Sequence, residues 1–275
     1  SLTAGTSIPS GTRWVVKVLF ELKFSRNVLV EDNIFENNWG GQGDAYGQCM
    51  WIKSNSNGNC EHCETDNVTI QRNICRNTNG YFNFLSSNAG SGEQRTAVLK
   101  NVTVRNNLFQ GSTNANGPSV DSIRIAGDVN NLTIDHNTIA RSARGHIYFT
   151  SSTYTTPGFV YTNNITPANQ YSFFGVQCTQ GNDCLNTWAP GNVVTDNVLA
   201  GASSSSNPPG NLYPSLASYG GNFENYDGGF YGNYLLAATS TYIGGADDGS
   251  DLVADMSLVY SSTTGGPEGN PAGAP

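Results

Sequence analysis

Apolar and polar residues alternate along four short stretches of the chain. Val28/Val30, Val68/Ile70, Val102/Val104 and Leu132/Ile134 fall on one side, and Leu29, Thr69, Thr103 and Thr133 on the other. A period of two is that of a β-strand. An asparagine then recurs in similar surroundings: VEDNIF (Asn33), IQRNIC (Asn73), VRNNLF (Asn107), IDHNTI (Asn137), YTNNIT (Asn164), VTDNVL (Asn197) and FYGNYL (Asn233). The spacings of 40, 34, 30, 27, 33 and 36 residues form a loose period, the mark of a solenoid with insertions of variable length. No helical unit fits between these strands. The pattern predicts a parallel β-helix of about seven or more coils, each stacked on the next at roughly 4.8 Å.

Stacking brings equivalent residues of successive coils into columns. An Asn side chain can donate to one neighbour and accept from the other, and it tolerates the left-handed backbone of a tight turn. The seven asparagines are therefore read as a structural ladder, with Asn27, Asn67, Asn101 and Asn131 as a second one. Asn67, Asn101, Asn131 and Asn164 also lie in N-x-T sequons. Three of these are the ladder followed by an outward Thr, and architecture is favoured over glycosylation.

A second strand of each coil carries more varied chemistry: CMWIKS, YFNFLS, SIRIAG, HIYFTS and FFGVQC. Placing Met50/Ile52, Phe82/Phe84, Ile123/Ile125, Ile147/Phe149 and Phe174/Val176 inward leaves outward rows. Those rows give Trp51, Lys53, Tyr81, Asn83, Tyr148 and Phe173 as candidate substrate-binding residues around Arg124. Aromatic residues in register on a surface call for a covering. Either the protein's own loops (37–47, 111–120 or 203–225) lie across them, or sugar rings stack there while Arg and Lys meet hydroxyls or carboxylates. Asp121, Arg124, Arg144 and His146 form the candidate catalytic cluster, as a hydrolase or lyase needs a carboxylate or base of shifted pKa. His136, just before a ladder Asn, reads as a turn residue.

Composition narrows the partners. A net charge of −8 leaves no basic stripe for phosphates, which excludes nucleic acid. No apolar run approaches the ~20 residues of a membrane span. No cofactor is expected; calcium is conceivable, but GGADDGSD lacks the spacing of a calcium loop. The six cysteines suit an oxidising compartment. Cys178 and Cys184 flank a turn and are expected to pair. Cys60 with Cys63 would leave Cys49 with Cys75. The alternative is a zinc site on Cys60, His62, Cys63 and Cys75.

The stretch VLFELKFSRNVLVEDNIFENNW resembles a family of secreted bacterial right-handed parallel β-helix proteins, distant members of the pectate-lyase-like superfamily. The CxxC at Cys60–Cys63, IDHNTI, PGNVVTDNVLAG and GGADDGSDLVAD extend the resemblance over roughly residues 14–258. It implies right-handed coils and secretion, to the extracellular space, the cell surface or the periplasm. Better-known superfamily members cleave or bind acidic polysaccharides with Asp clusters, calcium and an Arg or Lys base, and neither of their residue sets stands at matching positions here. The expected fold is thus an all-β, single-domain right-handed parallel β-helix over residues 13–260. An irregular segment (1–12) precedes it and a Gly/Pro-rich tail (261–275) follows. The expected function is to bind or process a polysaccharide on the aromatic/Arg face, as a lyase or glycoside hydrolase if an enzyme. The alternative is a fibre, filament subunit or adhesin that self-associates through coil ends lacking an amphipathic cap.

Overall fold

The computed structural model describes residues 16–38, 47–54, 63–86, 98–111, 121–142, 144–168 and 170–264. The expected N-terminal segment 1–12 and most of the expected tail lie outside them.

Among the described residues six coils follow one another, each of three strands. The first holds β1 (Val18–Lys23), β2 (Arg26–Glu31) and β3 (Ile34–Glu36), and the second β4 (Gln48–Lys53), β5 (Asp66–Gln71) and β6 (Ile74–Arg76). The third holds β7 (Gly80–Leu85), β8 (Leu99–Arg105) and β9 (Leu108–Gln110), and the fourth β10 (Ile123–Ala126), β11 (Val129–Asp135) and β12 (Thr138–Ile139). The fifth holds β13 (Gly145–Phe149), β14 (Val160–Thr162) and β15 (Ile165–Pro167). The sixth holds β16 (Tyr171–Gly175), helix α1 (Asn182–Trp188), β17 (Val193–Thr195) and β18 (Val198–Ala200). Like strands pair in parallel into three six-stranded sheets: A (β1-β4-β7-β10-β13-β16), B (from β2 to β17) and C (from β3 to β18). This is a parallel β-solenoid.

Inward residues stack by kind. Met50, Phe82, Ile123 and Ile147 form one column in sheet A. Val30, Ile70, Val104, Ile134, Tyr161 and Val194 form one in sheet B, and Phe35, Cys75, Phe109 and Ile139 one in sheet C. They merge into one core.

The Asn ladder runs the length of the stack. Asn73 Oδ1 accepts the backbone N–H of Asn33 at 3.1 Å and its side-chain amide at 3.0 Å. Asn107, Asn137, Asn164 and Asn197 repeat the pattern. Each Nδ2 also donates to the carbonyl two residues back and to one in the preceding coil, as Asn73 does to Gln71 and Val30. Asn233 is a correction. It pairs antiparallel in a hairpin and donates to Glu224, and the seventh rung is Asn211, whose Oδ1 accepts from Asn197 at 3.0 and 2.8 Å. The chain reaches that turn through a short loop instead of a seventh strand of sheet A, so the period breaks. In the second ladder Asn67 donates to Asn27 and Asn131 to Asn101, but Asn101 donates to Asp66. All four have φ near +55°.

Cys178–Cys184 and Cys49–Cys75 are disulfides. The second lies wholly inside the core and removes Cys75 from the zinc alternative. Cys63 is also disulfide-bonded, and its expected partner Cys60 lies outside the described residues. Helix α1 is a departure from the strand-only expectation. Its Leu185 and Trp188 enter the core at the last coil, and the Trp188 indole donates to the Val176 carbonyl at 2.8 Å.

The coils end near Ala200, well short of residue 260. The chain beyond them lies over the outer face of sheet C as α2 (Leu216–Tyr219), β19 (Phe223–Asn225), β20 (Asn233–Leu236) and α3 (Met256–Thr264). Ile74, Leu108, Ile165 and Val198 are buried beneath Tyr219, Phe223, Tyr234 and Tyr260 in a second apolar cluster. The expected boundary at 260/261 falls inside α3. No helix among the described residues is long and apolar enough to cross a membrane.

Candidate functional site

Sheet A presents an outward central row whose register is fixed by pairing: Glu21, Trp51, Asn83, Arg124, Tyr148 and Phe174. The sixth coil differs from the sequence-based alignment by one residue. Phe173 pairs with Ile147 and points into the core, while Phe174 pairs with Tyr148 and points out. A one-residue slip exchanges the faces of a strand. Two consecutive Phe residues hide that slip in the sequence.

The row divides into two halves. In the first, Trp51 is only 5% exposed. Lys17 and Lys53 place their ammoniums 4.3 and 4.6 Å from its ring centroid, and the indole N–H donates to Gln48. Lys53 is itself 8% exposed and pairs with Glu21 at 3.1 Å. Burial lowers the Lys53 pKa, against the hydrogen bond and charge of Glu21. Asn83 is 5% exposed. These three residues, expected to meet a ligand, are committed to internal contacts or burial.

Tyr81 and His146 do not face solvent either. They sit at the corner of sheets A and C. Tyr81 is a core residue whose hydroxyl donates to the Arg141 carbonyl at 2.6 Å. His146 Nδ1 lies 3.1 Å from Thr166 Oγ1, and burial drives its pKa down to about 3. A neutral, enclosed imidazole cannot exchange protons with a bound substrate, so His146 leaves the catalytic cluster.

The second half of the row is built differently. Tyr148 and Phe174 are stacked at 4.7 Å between ring centroids, with 16° between their planes, and Tyr171 and Phe174 at 4.8 Å and 27°. The guanidinium of Arg144 lies 5.8, 5.2 and 5.6 Å from the centroids of Tyr148, Phe174 and Tyr171, and that of Arg124 lies 5.8 Å from Tyr148. Arg144 Nη1 also bonds Asp121 Oδ1 at 3.2 Å. Asp121 is 4% exposed, and burial raises its pKa to about 6 despite the opposing charges of Arg144 and Arg124.

Gly145 makes this packing possible. A Cβ there would stand 2.7 Å from the Tyr171 carbonyl oxygen and 2.9 Å from the Phe174 ring. Of the sequence-predicted residues, Asp121, Arg124, Arg144 and Tyr148 come together. Phe174 and Tyr171 join them, one missed through the slip and the other through lying at the strand's first position.

Among the described residues no group of His, Cys, Asp and Glu is arranged to hold a metal ion. The chain matches no family model, no curated protein and no solved structure. Its site is therefore read from its own geometry.

Proposed function

We propose that this protein is an extracellular, right-handed β-helix that binds an acidic polysaccharide on the outer face of sheet A. The arrangement that carries the reading is a shelf of two half-buried rings, Tyr148 and Tyr171, stacked on either side of the buried Phe174, beside two guanidiniums and one nearly buried carboxyl. Apolar faces of sugar rings stack on such rings, and paired guanidiniums recognise carboxylates through forked hydrogen bonds. Right-handed coils follow from strand twist, since nearly all crossovers between parallel neighbours take that hand. The disulfides suit an oxidising compartment, in keeping with the resemblance to secreted β-helix proteins.

Asp121 sets the charge of the shelf. When ionised it offsets one guanidinium; as pH falls through about 6 it becomes neutral and the shelf turns more positive. Retention of an acidic polysaccharide in affinity electrophoresis should strengthen from pH 7.5 to pH 5. It should weaken about tenfold or more in Tyr148→Ala and in Arg144→Ala, given ~1–3 kcal/mol for a lost charged hydrogen bond or stacking contact. Equal retention of both variants and the parent would remove the reading. Product analysis on the retained glycan then separates binding from cleavage.

A second reading, end-to-end assembly, is favoured by the first coil, whose strands form the edge of each sheet and where Leu29 and Ile34 on β2 and β3 and Phe24 in the turn before β2 are exposed. Filaments in electron micrographs, with no glycan retained, would favour it.

A further inference from the structure

A second concentration of chemistry lies away from sheet A, where the C-terminal cover crosses the turns between sheets B and C. Those turns form a column of left-handed residues, Asp32, Arg72, Asn106, His136, Asn163 and Asp196, with φ between 51° and 61° apart from His136 at 48°. The cover descends this column. Asp247 exchanges hydrogen bonds with Asn163, Ser250 meets His136, and the Asp255 N–H donates to Asn106 at 3.0 Å. A cleft of about 540 Å³ opens between column and cover.

In that cleft His136 Nδ1 lies 2.8 Å from Asp135 Oδ2, and Nε2 lies 2.9 Å from Ser250 Oγ. The other oxygen of Asp135 is held by Thr162 Oγ1 at 2.8 Å and Asn163 Nδ2 at 2.9 Å, so the carboxylate is fixed. Ser250 is exposed and ends a tight turn. Its carbonyl accepts the Ala246 N–H at 2.9 Å, and Gly249 before it has φ +84°.

A hydroxyl bonded to one imidazole nitrogen, with a carboxylate on the other, is the arrangement that makes serine nucleophilic; Asp248 stands on the hydroxyl side, its Oδ1 3.6 Å from Nε2 and accepting the Ser250 N–H at 2.8 Å. We propose that Ser250, His136 and Asp135 form an acyl-transfer site that hydrolyses uncharged carboxylic esters. Ser250 Oγ attacks the ester carbon as its proton passes to His136 Nε2. The carbon–oxygen bond to the alcohol then breaks, and the leaving oxygen takes that proton. Water, deprotonated by His136, attacks the acyl-serine; the acyl–Oγ bond breaks, Ser250 Oγ takes that proton back from His136, and the acid leaves. Ser250 and His136 are catalytic residues, and Asp135 is a positioning residue. Asn106 and Arg105 line the same cleft; with Arg105 Nε held by Gln71 at 2.9 Å, the Asn106 amide and the remaining guanidinium nitrogens are the donors this site offers an oxyanion.

The walls select the substrate. Asp248, Asp251 and Asp255 repel an anionic acyl group, whereas Leu235, Val253 and Met256 accept a short apolar one. They also set the pH range. Burial opposes charge on His136, but Asp135, with Asp248 and Asp247, holds its pKa above 6.5; Arg105 is the cation facing it from the neighbouring coil. The base is neutral only above that raised value.

The competing account is that these bonds merely latch the cover. The intact protein is treated with an uncharged fluorophosphonate and, separately, with p-nitrophenyl acetate, across pH 5.5–9. Adduct formation at Ser250, found by peptide mass spectrometry, is expected with a rate that rises to a plateau above neutrality. Ser250→Ala should abolish both the adduct and turnover with an unchanged melting curve. His136→Gln should slow both about 100-fold or more, and Asp135→Asn should shift the pH profile. A folded parent that gives neither adduct nor turnover, or a Ser250→Ala protein that retains both, overturns the proposal.

Discussion

At the scale of single residues, the ladder asparagines and the sheet A residues obey the same rule: a polar group inside the fold needs a partner. Asn107 is fully buried. Its amide donates to the Ile70 and Arg105 carbonyls at 3.0 and 2.9 Å, and its oxygen accepts from Asn73. Asn107→Ala would leave several buried groups unpaired at about 1–3 kcal/mol each. Asn101 is exposed and donates to Asp66 at 2.8 Å, so Asn101→Ala should cost about 1–2 kcal/mol, chiefly for its left-handed backbone. Urea midpoints of the two variants test this; equal losses would mean that a buried ladder asparagine is worth no more than one exposed turn residue. The same rule explains why Trp51 and Lys53 are unavailable, since their polar atoms already have partners within the chain.

At the scale of elements, register decides which side chains reach solvent. β13 and β16 pair through Gly145↔Tyr171 and Tyr148↔Phe174. Alternation alone does not choose between Phe173 and Phe174, because either can be the inward ring. The pairing is secured by close approach at two glycines: a Cβ on Gly175 would meet the Phe149 carbonyl oxygen at 2.8 Å, as one on Gly145 would meet Tyr171. Gly145→Ala is expected to push the two strands apart, at about 1–3 kcal/mol. It should also weaken glycan retention without touching either arginine. Loss of stability with unchanged retention would show that the shelf does not depend on this contact. Helix α1 belongs to the same scale. Its seven residues are too few to be stable alone and hold through Leu185 and Trp188 in the core and the Cys178–Cys184 bond.

At the scale of the whole molecule, the interior of the coils is one apolar cluster and the seam between the outer face of sheet C and its cover is another. The cover rests on sheet C through rings such as Tyr260, which is 2% exposed and whose hydroxyl accepts the Tyr234 N–H at 2.9 Å. Tyr260→Ala should cost about 3–5 kcal/mol, with hydrogen exchange accelerating over residues 216–264 while β4 to β16 stay protected. Uniform acceleration would instead mean that cover and coils unfold as one unit. The cover also assembles the Ser250 cluster, because His136 and Ser250 are 114 residues apart in sequence.

The sequence by itself determined the repeating strand, the turn asparagine and the stacking of coils, because all three are local or repeat at a near-constant interval. It also placed Asp121, Arg124, Arg144 and Tyr148 on or beside one sheet, since a solenoid turns sequence period into spatial proximity. It did not determine where the period stops. Asn233 follows Asn197 at an ordinary spacing yet belongs to the cover, while Asn211 completes the ladder from a loop. Nor did it reveal which outward residues are enclosed, the one-residue slip at Phe173, or the meeting of Ser250 with His136. Those depend on segments that fold back across the coils, where contact is set by packing and carries no repeat for a sequence pattern to register.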